Sequence, residues 1–440
     1  MGFFSKFFTA PNQGDNNQRP EVLFGRYTDR NKSKEQLECW TKSVDYFKEK
    51  KFIESYIEFF NYLRDPKVDN VKFTTTTNKV DFEFIQGSKI VKGYANEKEI
   101  FAEAEVVIFD KPNVAVMRKL LNENYYLWFS KFTIRDNKFT LHYRVPSVEA
   151  HPSSVYFSLK EVANISDSFD DVLQNEFPFL QPVNISHIQE ITETEKSIKL
   201  KFLKEWINAT LKRVDELDQD NFSGARAFLL LTITYKLYYL LAPEGLLLDD
   251  LRFIQGIFFR KDGTTDVERN YKMITEYKKI LDKTDQDISK SLYKVKATFA
   301  VVKPTHYTKV IDFVNDELNK INWYRDNKYY DIQLAICEYI VAYSYFNFGM
   351  EPVITNIFQV FWHALNFKYF EELGFKAEIY SKVTEKLNQV VIEQEIQKVI
   401  DSAITIYTKL NFNTKNLKFS SKHEFATSFL TEFINCNFES

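Results

Sequence analysis

The sequence is poor in glycine, with 11 in 440 residues, well under half the average usage of about 7%. Glycine supplies the left-handed turns and close backbone approaches on which phosphate-cradling loops and strained nucleophile turns depend. Accordingly, there is no Gly-x-Gly-x-x-Gly, no phosphate loop and no Gly-x-Ser-x-Gly. Histidine is scarce too. His142, His151, His187, His306, His363 and His423 include no pair at i, i+4 and none near a cysteine at zinc spacing. His142 and His151 flank one strand end and are the pair closest to converging. These shortages point away from an enzyme, and no cofactor or metal is expected. Cysteine is sparse and odd in number (Cys39, Cys337, Cys436), which excludes a disulfide framework and fits the cytoplasm.

Two further features are lacking. Charge is nearly balanced, with 58 basic and 61 acidic residues and a net charge of −3. That excludes the domain-wide basic excess of a nucleic-acid binder. Long apolar runs are missing. The longest, residues 227–242, contains Lys236 and stops at Pro243, whereas a membrane span needs about 20 apolar residues. Residues 1–8 are too short and too aromatic for a signal peptide.

What is present in excess is aromatic: 42 Phe and 25 Tyr. Large rings supply packing area in a core and contact area where exposed. Residues 1–20 read as an aromatic tip and a polar linker with two prolines before Pro20 is passed. In residues 21–185, Ser33 and Gln36 stand at capping-box spacing. Leu37, Trp40, Val44 and Phe47 form one helix face, and residues 53–63 form a second helix. The period then switches to two. Strands are predicted over 71–77, 80–84, 90–94 and 100–109, then a short helix through Val114, Met117, Leu120 and Leu121. Strands follow at 127–134, 139–143 and 155–159, then a helix through Phe169 and Leu173. This half reads as α+β with an antiparallel sheet.

Residues 190–440 read as all-α. Helices are predicted at 195–217, 224–241, 246–259, 267–281, 286–302, 308–323, 330–346, 352–372, 377–389, 391–410 and 423–434. An offset of 104 aligns Ile207 with Ile311, Leu230 with Leu334, Tyr235 with Tyr339, Tyr239 with Tyr343, Gly245 with Gly349 and Gln255 with Gln359. An internal duplication would give that pattern.

Several motifs in residues 70–177 carry a resemblance. They are Tyr94-Ala95-Asn96, the run from Lys119 to Asn124, the hairpin 127–141, Ser166-Asp167, and Phe169 to Leu173. With their order of elements, these residues resemble the YbjN and type III secretion chaperone-like group. That resemblance implies a small domain that binds protein segments, often as a dimer, with no catalytic site. Residues 46–57 resemble a single tetratricopeptide-type helix pair without its Trp-Gly and Ala signature positions.

Individual candidates reduce to structural readings. Asp249 and Asp250 favour a helix start at Leu251. Asp215, Asp218 and Asp220 lack the calcium-loop pattern, because Phe222 and Ser223 stand where a ligand and glycine are needed. Lys131-Phe132 and Lys138-Phe139 fit an alternating two-faced strand better than a base-stacking surface. Phe3, Phe4, Phe7 and Phe8 are the candidate interaction segment: at i, i+1, i+4, i+5 they make one apolar face. Docking onto the protein itself, onto a partner protein or onto a membrane surface are weighed in that order. The expectation is a non-enzymatic protein-binding module, adaptor or chaperone-like, with a protein partner, homodimerisation open to it, and no nucleic acid. The alternatives are an enzyme or nucleotide binder with an interdomain site, and a structural subunit of a larger assembly.

Overall fold

Ser33 opens the first helix. Its hydroxyl accepts from the Gln36 N–H at 3.2 Å while the Gln36 side chain accepts from the Ser33 N–H at 3.0 Å, closing the capping box at the start of α1 (Lys34–Lys48). The Gln36 amide also donates to the carbonyls of Tyr62 and Arg64, which ties α1 to the end of α2 (Phe52–Leu63). The computed structural model describes residues 20–25, 31–65, 68–183, 187–295, 299, 304–375 and 378–439.

An antiparallel meander follows: β1 (Val71–Thr76), β2 (Lys79–Gln86), β3 (Lys89–Asn96) and β4 (Glu99–Ile108). Helix α3 (Val114–Asn124) leads into the hairpin of β5 (Lys131–Arg135) and β6 (Lys138–Pro146). Helix α4 (Pro152–Glu176) crosses the sheet, and β7 (Gln181–Pro182) pairs with the end of β4. The strand order is β1-β2-β3-β4-β6-β5.

Burial alternates residue by residue along β2 and β4 up to Val106, as a sheet with one packed face requires. The packed face brings Phe82, Phe84, Val91 and Ile100 against Phe60 of α2 and Leu159 of α4. The other face is solvated. It carries the ion pairs Arg144–Glu99, Arg135–Glu103 and Lys138–Glu105. A bulge at Val106 turns both Val106 and Val107 inward. There they pack with Leu120, Phe132, Phe139 and Leu173 in a second, smaller core. Gly93 is required inside β3: a Cβ there would lie 2.1 Å from the Phe101 carbonyl oxygen and 2.5 Å from the Phe82 ring.

The second half is mostly helical, as its periodicity predicts. β8 (Gln189–Glu190) precedes α5 (Glu193–Asp215), α6 (Ser223–Leu240), α7 (Gly245–Phe259), α8 (Asp266–Asp282) and α9 (Asp285–Ser289). β9 (Tyr293–Lys294) pairs with β8. Next come α10 (Tyr307–Asn319), α11 (Ile321–Asp326), α12 (Tyr330–Asn347), α13 (Pro352–Leu365) and α14 (Phe367–Glu372). The hairpin β10 (Tyr380–Ser381) and β11 (Lys386–Leu387), then α15 (Gln389–Ala403) and α16 (Lys422–Ile434), complete it. One continuous apolar core runs through this half. Helices α6 and α12 lie side by side, with Tyr235 against Tyr339 and Tyr343 and the Thr232 hydroxyl donating to the Ala335 carbonyl.

Several expected elements differ. Residues 155–159 are helical rather than extended. Pro152 and the His151 cap start α4, and Val155, Leu159, Val162, Ser166 and Leu173 are buried at helical spacing. Residues 127–130 form a loop rather than a strand. The expected helix at 286–302 stops at Ser289. Leu292, Val295 and Phe299 are buried at helical spacing, but Phe299 packs into the core of the α+β half, against Phe84. The expected helix at 377–389 is a hairpin instead. The predicted helices 308–323 and 352–372 each divide in two, the second at Asn366, whose side chain turns back to the Trp362 carbonyl. The last long one, 391–410, ends at Ala403.

Candidate functional site: an exposed helix face and aromatic loop

Asn113 caps α3 by accepting from the Ala115 and Val116 N–H groups. The helix is apolar on two sides. Val116 and Leu120 face the core, while Val114, Met117 and Leu121 are exposed. Those three stand at i, i+3, i+7 and form one stripe. The loop that follows continues it with Tyr125, Tyr126, Trp128 and Phe129, all exposed; Trp128 is 87% exposed and Tyr125 83%.

The loop is clamped from beneath. The Glu161 carboxylate of α4 accepts from the N–H groups of Trp128, Phe129 and Ser130 at 2.9, 2.9 and 2.8 Å, and from the Ser130 hydroxyl at 2.7 Å. Four bonds onto one carboxylate fix the backbone that carries the rings. Asn124 does the same for the neighbouring strand, accepting from Phe132 N–H at 2.6 Å and donating to its carbonyl at 3.2 Å. Lys119 pairs with Glu176 at 2.6 Å and anchors α3 to the end of α4. Burial pushes the Glu123 carboxyl up, opposed by the Lys119 ammonium.

The sequence missed this loop by reading residues 127–134 as strand. The signal was available. Tyr125 to Phe129 are five consecutive apolar residues, and a half-buried antiparallel strand alternates instead.

A second polar cluster joins the two halves. Asp167, Asp170 and Asp171 of α4 lie against Ser88 and Lys89 of the sheet and the start of α7. Lys89 pairs with Asp170 at 2.5 Å and donates to the Val106 carbonyl in the bulge at 3.0 Å. Ser168 donates to both oxygens of Asp249 at 2.9 and 3.0 Å. Gly245, at φ +54°, faces the Asp171 carboxyl. Burial, then the carboxylates of Asp170, Asp167 and Asp249, pushes Asp171 up to about 9. Asp249 and Asp250 lie in the second turn of α7 and not at its start, as their spacing had predicted, because the helix begins at Gly245. Asp250 pairs with Lys283.

The other candidates disperse. Phe3, Phe4, Phe7 and Phe8 lie outside the described residues. Phe132 and Phe139 are buried in the smaller core, so neither ring can stack on a ligand. His142 contacts the Thr133 hydroxyl at 3.1 Å. Burial and the nearby Arg135, Lys131 and Arg144 charges lower its pKa. His151 instead caps α4 and meets the Phe47 ring, so the two histidines are not brought together. Asp218 accepts from the Asp220 and Asn221 N–H groups as a turn residue. Among the described residues no group of three or more His, Cys, Asp or Glu can hold a metal ion. None of their helices is long and apolar enough to cross a membrane. No family model matches this chain, and no curated protein matches it.

Proposed function

We propose that this chain is a non-enzymatic protein-binding module, adaptor or chaperone-like, acting in the cytoplasm. The observation that carries the reading is the clamped apolar surface of residues 114–129. Exposing Trp128, Tyr125 and Leu121 to water is unfavourable by about 25 cal/mol per Å² of apolar area. Glu161 and Asn124 hold that surface in place rather than letting it collapse inward, as a preorganised binding face requires. The likeness of residues 70–177 to YbjN and the secretion chaperones supports the same reading, since those are protein-binding domains. Three unpaired cysteines are in keeping with a reducing compartment. The helical half is read as two copies of one unit. Its support is the side-by-side packing of α6 and α12; their bounds repeat at an offset of 107 rather than the 104 of the aligned residues.

The test is quantitative recovery of native partners with the tagged full chain and its Trp128→Ala and Leu121→Asp variants. Partners captured by the parent chain and lost at least tenfold by both variants support the function. Equal recovery by all three rules this face out.

A further inference from the structure

We propose that the exposed stripe of Val114, Arg118 and Leu121 on α3, together with Trp128 in the loop that follows it, docks an amphipathic segment of another protein that sets a carboxylate against Arg118. This deepens the protein-binding reading and rests on it. Arg118 is exposed, at i+4 from Val114 and i−3 from Leu121, so it stands in the apolar stripe itself. No described residue forms an ion pair with it, whereas its neighbour Lys119 is paired with Glu176. Trp, Tyr and Arg are the residue types most enriched at binding hot spots. Its planar fork holds a carboxylate through two parallel hydrogen bonds.

Charge selects among the occupants. The chain's own aromatic tip would bring Lys6 and no acidic residue among its first fourteen. A second copy, docked face to face about a two-fold axis, would bring another Arg118. The one carboxylate within residues 114–129 is Glu123, half-buried near Lys119. The tip therefore opposes like charges, as does a second copy whose two-fold axis passes beside Arg118, and an acidic external segment does not. Its apolar anchors would cover the stripe and Trp128 while its carboxylate satisfies the guanidinium.

The experiment selects a displayed random library of peptides about sixteen residues long, roughly four helical turns, on the full chain and on Arg118→Glu. Both Arg118 and Trp128 are exposed, so substitutions there leave the fold intact. Peptides taken by the parent chain should be enriched severalfold in Asp and Glu beside apolar anchors. Arg118→Glu should reverse that preference toward Lys and Arg, and Trp128→Ala should weaken binding of either set at least tenfold. An unchanged preference at Arg118→Glu overturns the proposal but leaves protein binding standing, provided Trp128→Ala still abolishes capture. A dimer in sedimentation velocity that Trp128→Ala disperses makes the second copy the occupant and overturns it. Failure to select any peptide, with Trp128-dependent sedimentation on phosphatidylserine vesicles, overturns both the proposal and the protein-binding reading.

Discussion

Lys89 and Asp170 form an ion pair of 2.5 Å with both side chains almost completely shielded from water. Lys89 sits at the start of β3 and Asp170 on α4, so the pair locks the crossing helix to the sheet. The lysine's remaining hydrogens reach the carbonyls of Val106 and Val183. Desolvation of two charges costs several kcal/mol, so such a pair specifies position more than it adds net stability. Lys89→Met is expected to destabilise the protein by about 3–5 kcal/mol, because it strands a buried carboxylate. The double change Lys89→Met with Asp170→Leu should recover most of that loss. Denaturant melts of the three proteins decide; equal losses in single and double variants would contradict the account.

Asp171 gives stability a pH dependence. Its folded pKa is raised, first by burial and then by Asp170, Asp167 and Asp249, with Lys89 opposing. From the helical half, Tyr293 is pushed up by burial and by the Asp171 and Glu244 carboxylates. The folded state therefore binds the proton more tightly than the unfolded chain, whose Asp titrates near 4. The contribution is fully present below about pH 4 and is lost as pH rises to about 9. Asp171→Asn should flatten the fall in denaturant midpoint between pH 5 and 9. A parent-like slope in that variant would place the dependence elsewhere.

Glu161 is expected to act on the loop more than on the fold. Glu161→Ala removes the acceptor for three backbone N–H groups. Leaving such donors unpaired costs about 1–3 kcal/mol where they are buried, and less where water reaches them. Hydrogen exchange should accelerate at residues 128–130 while the helical half stays protected. Partner capture should drop to the level expected of Trp128→Ala. Unchanged exchange at those residues would show that the carboxylate does not hold the loop.

Gly93→Ala should cost roughly 3 kcal/mol, at the upper end for overpacking. The added methyl meets backbone, the Phe101 carbonyl oxygen, which cannot move aside as a side chain tip can. Thermal melts of Gly93→Ala beside the control Gly256→Ala test this. A Cβ at Gly256 meets nothing within 4 Å, and alanine there favours the helix by about 1 kcal/mol.

Local signals were legible in the sequence where the residues that make an element also bury it together. The alternation of β2 and the long helices α6 and α12 are of this kind, while the exposed capping box at Ser33 needs only its own two residues. The split into an α+β half and a helical half followed from the change of period, since 2.0 and 3.6 place apolar residues on different faces. Tertiary structure decided the rest. Leu292, Val295 and Phe299 have helical spacing, yet Phe299 belongs to the core of the other half. Spacing records which residues are apolar, not which core receives them. The aromatic loop was hidden for the same reason. Composition flags Tyr125 to Phe129 as apolar, but only the fold shows their four rings exposed and the backbone of residues 128–130 bonded to Glu161. The shortage of glycine, by contrast, was a property of the sequence alone. It leaves the sequence without a Gly-x-Gly-x-x-Gly or Gly-x-Ser-x-Gly motif, whereas only the fold shows that six of the described non-glycine residues, Ala242 and Glu385 among them, take the positive φ that glycine adopts most readily.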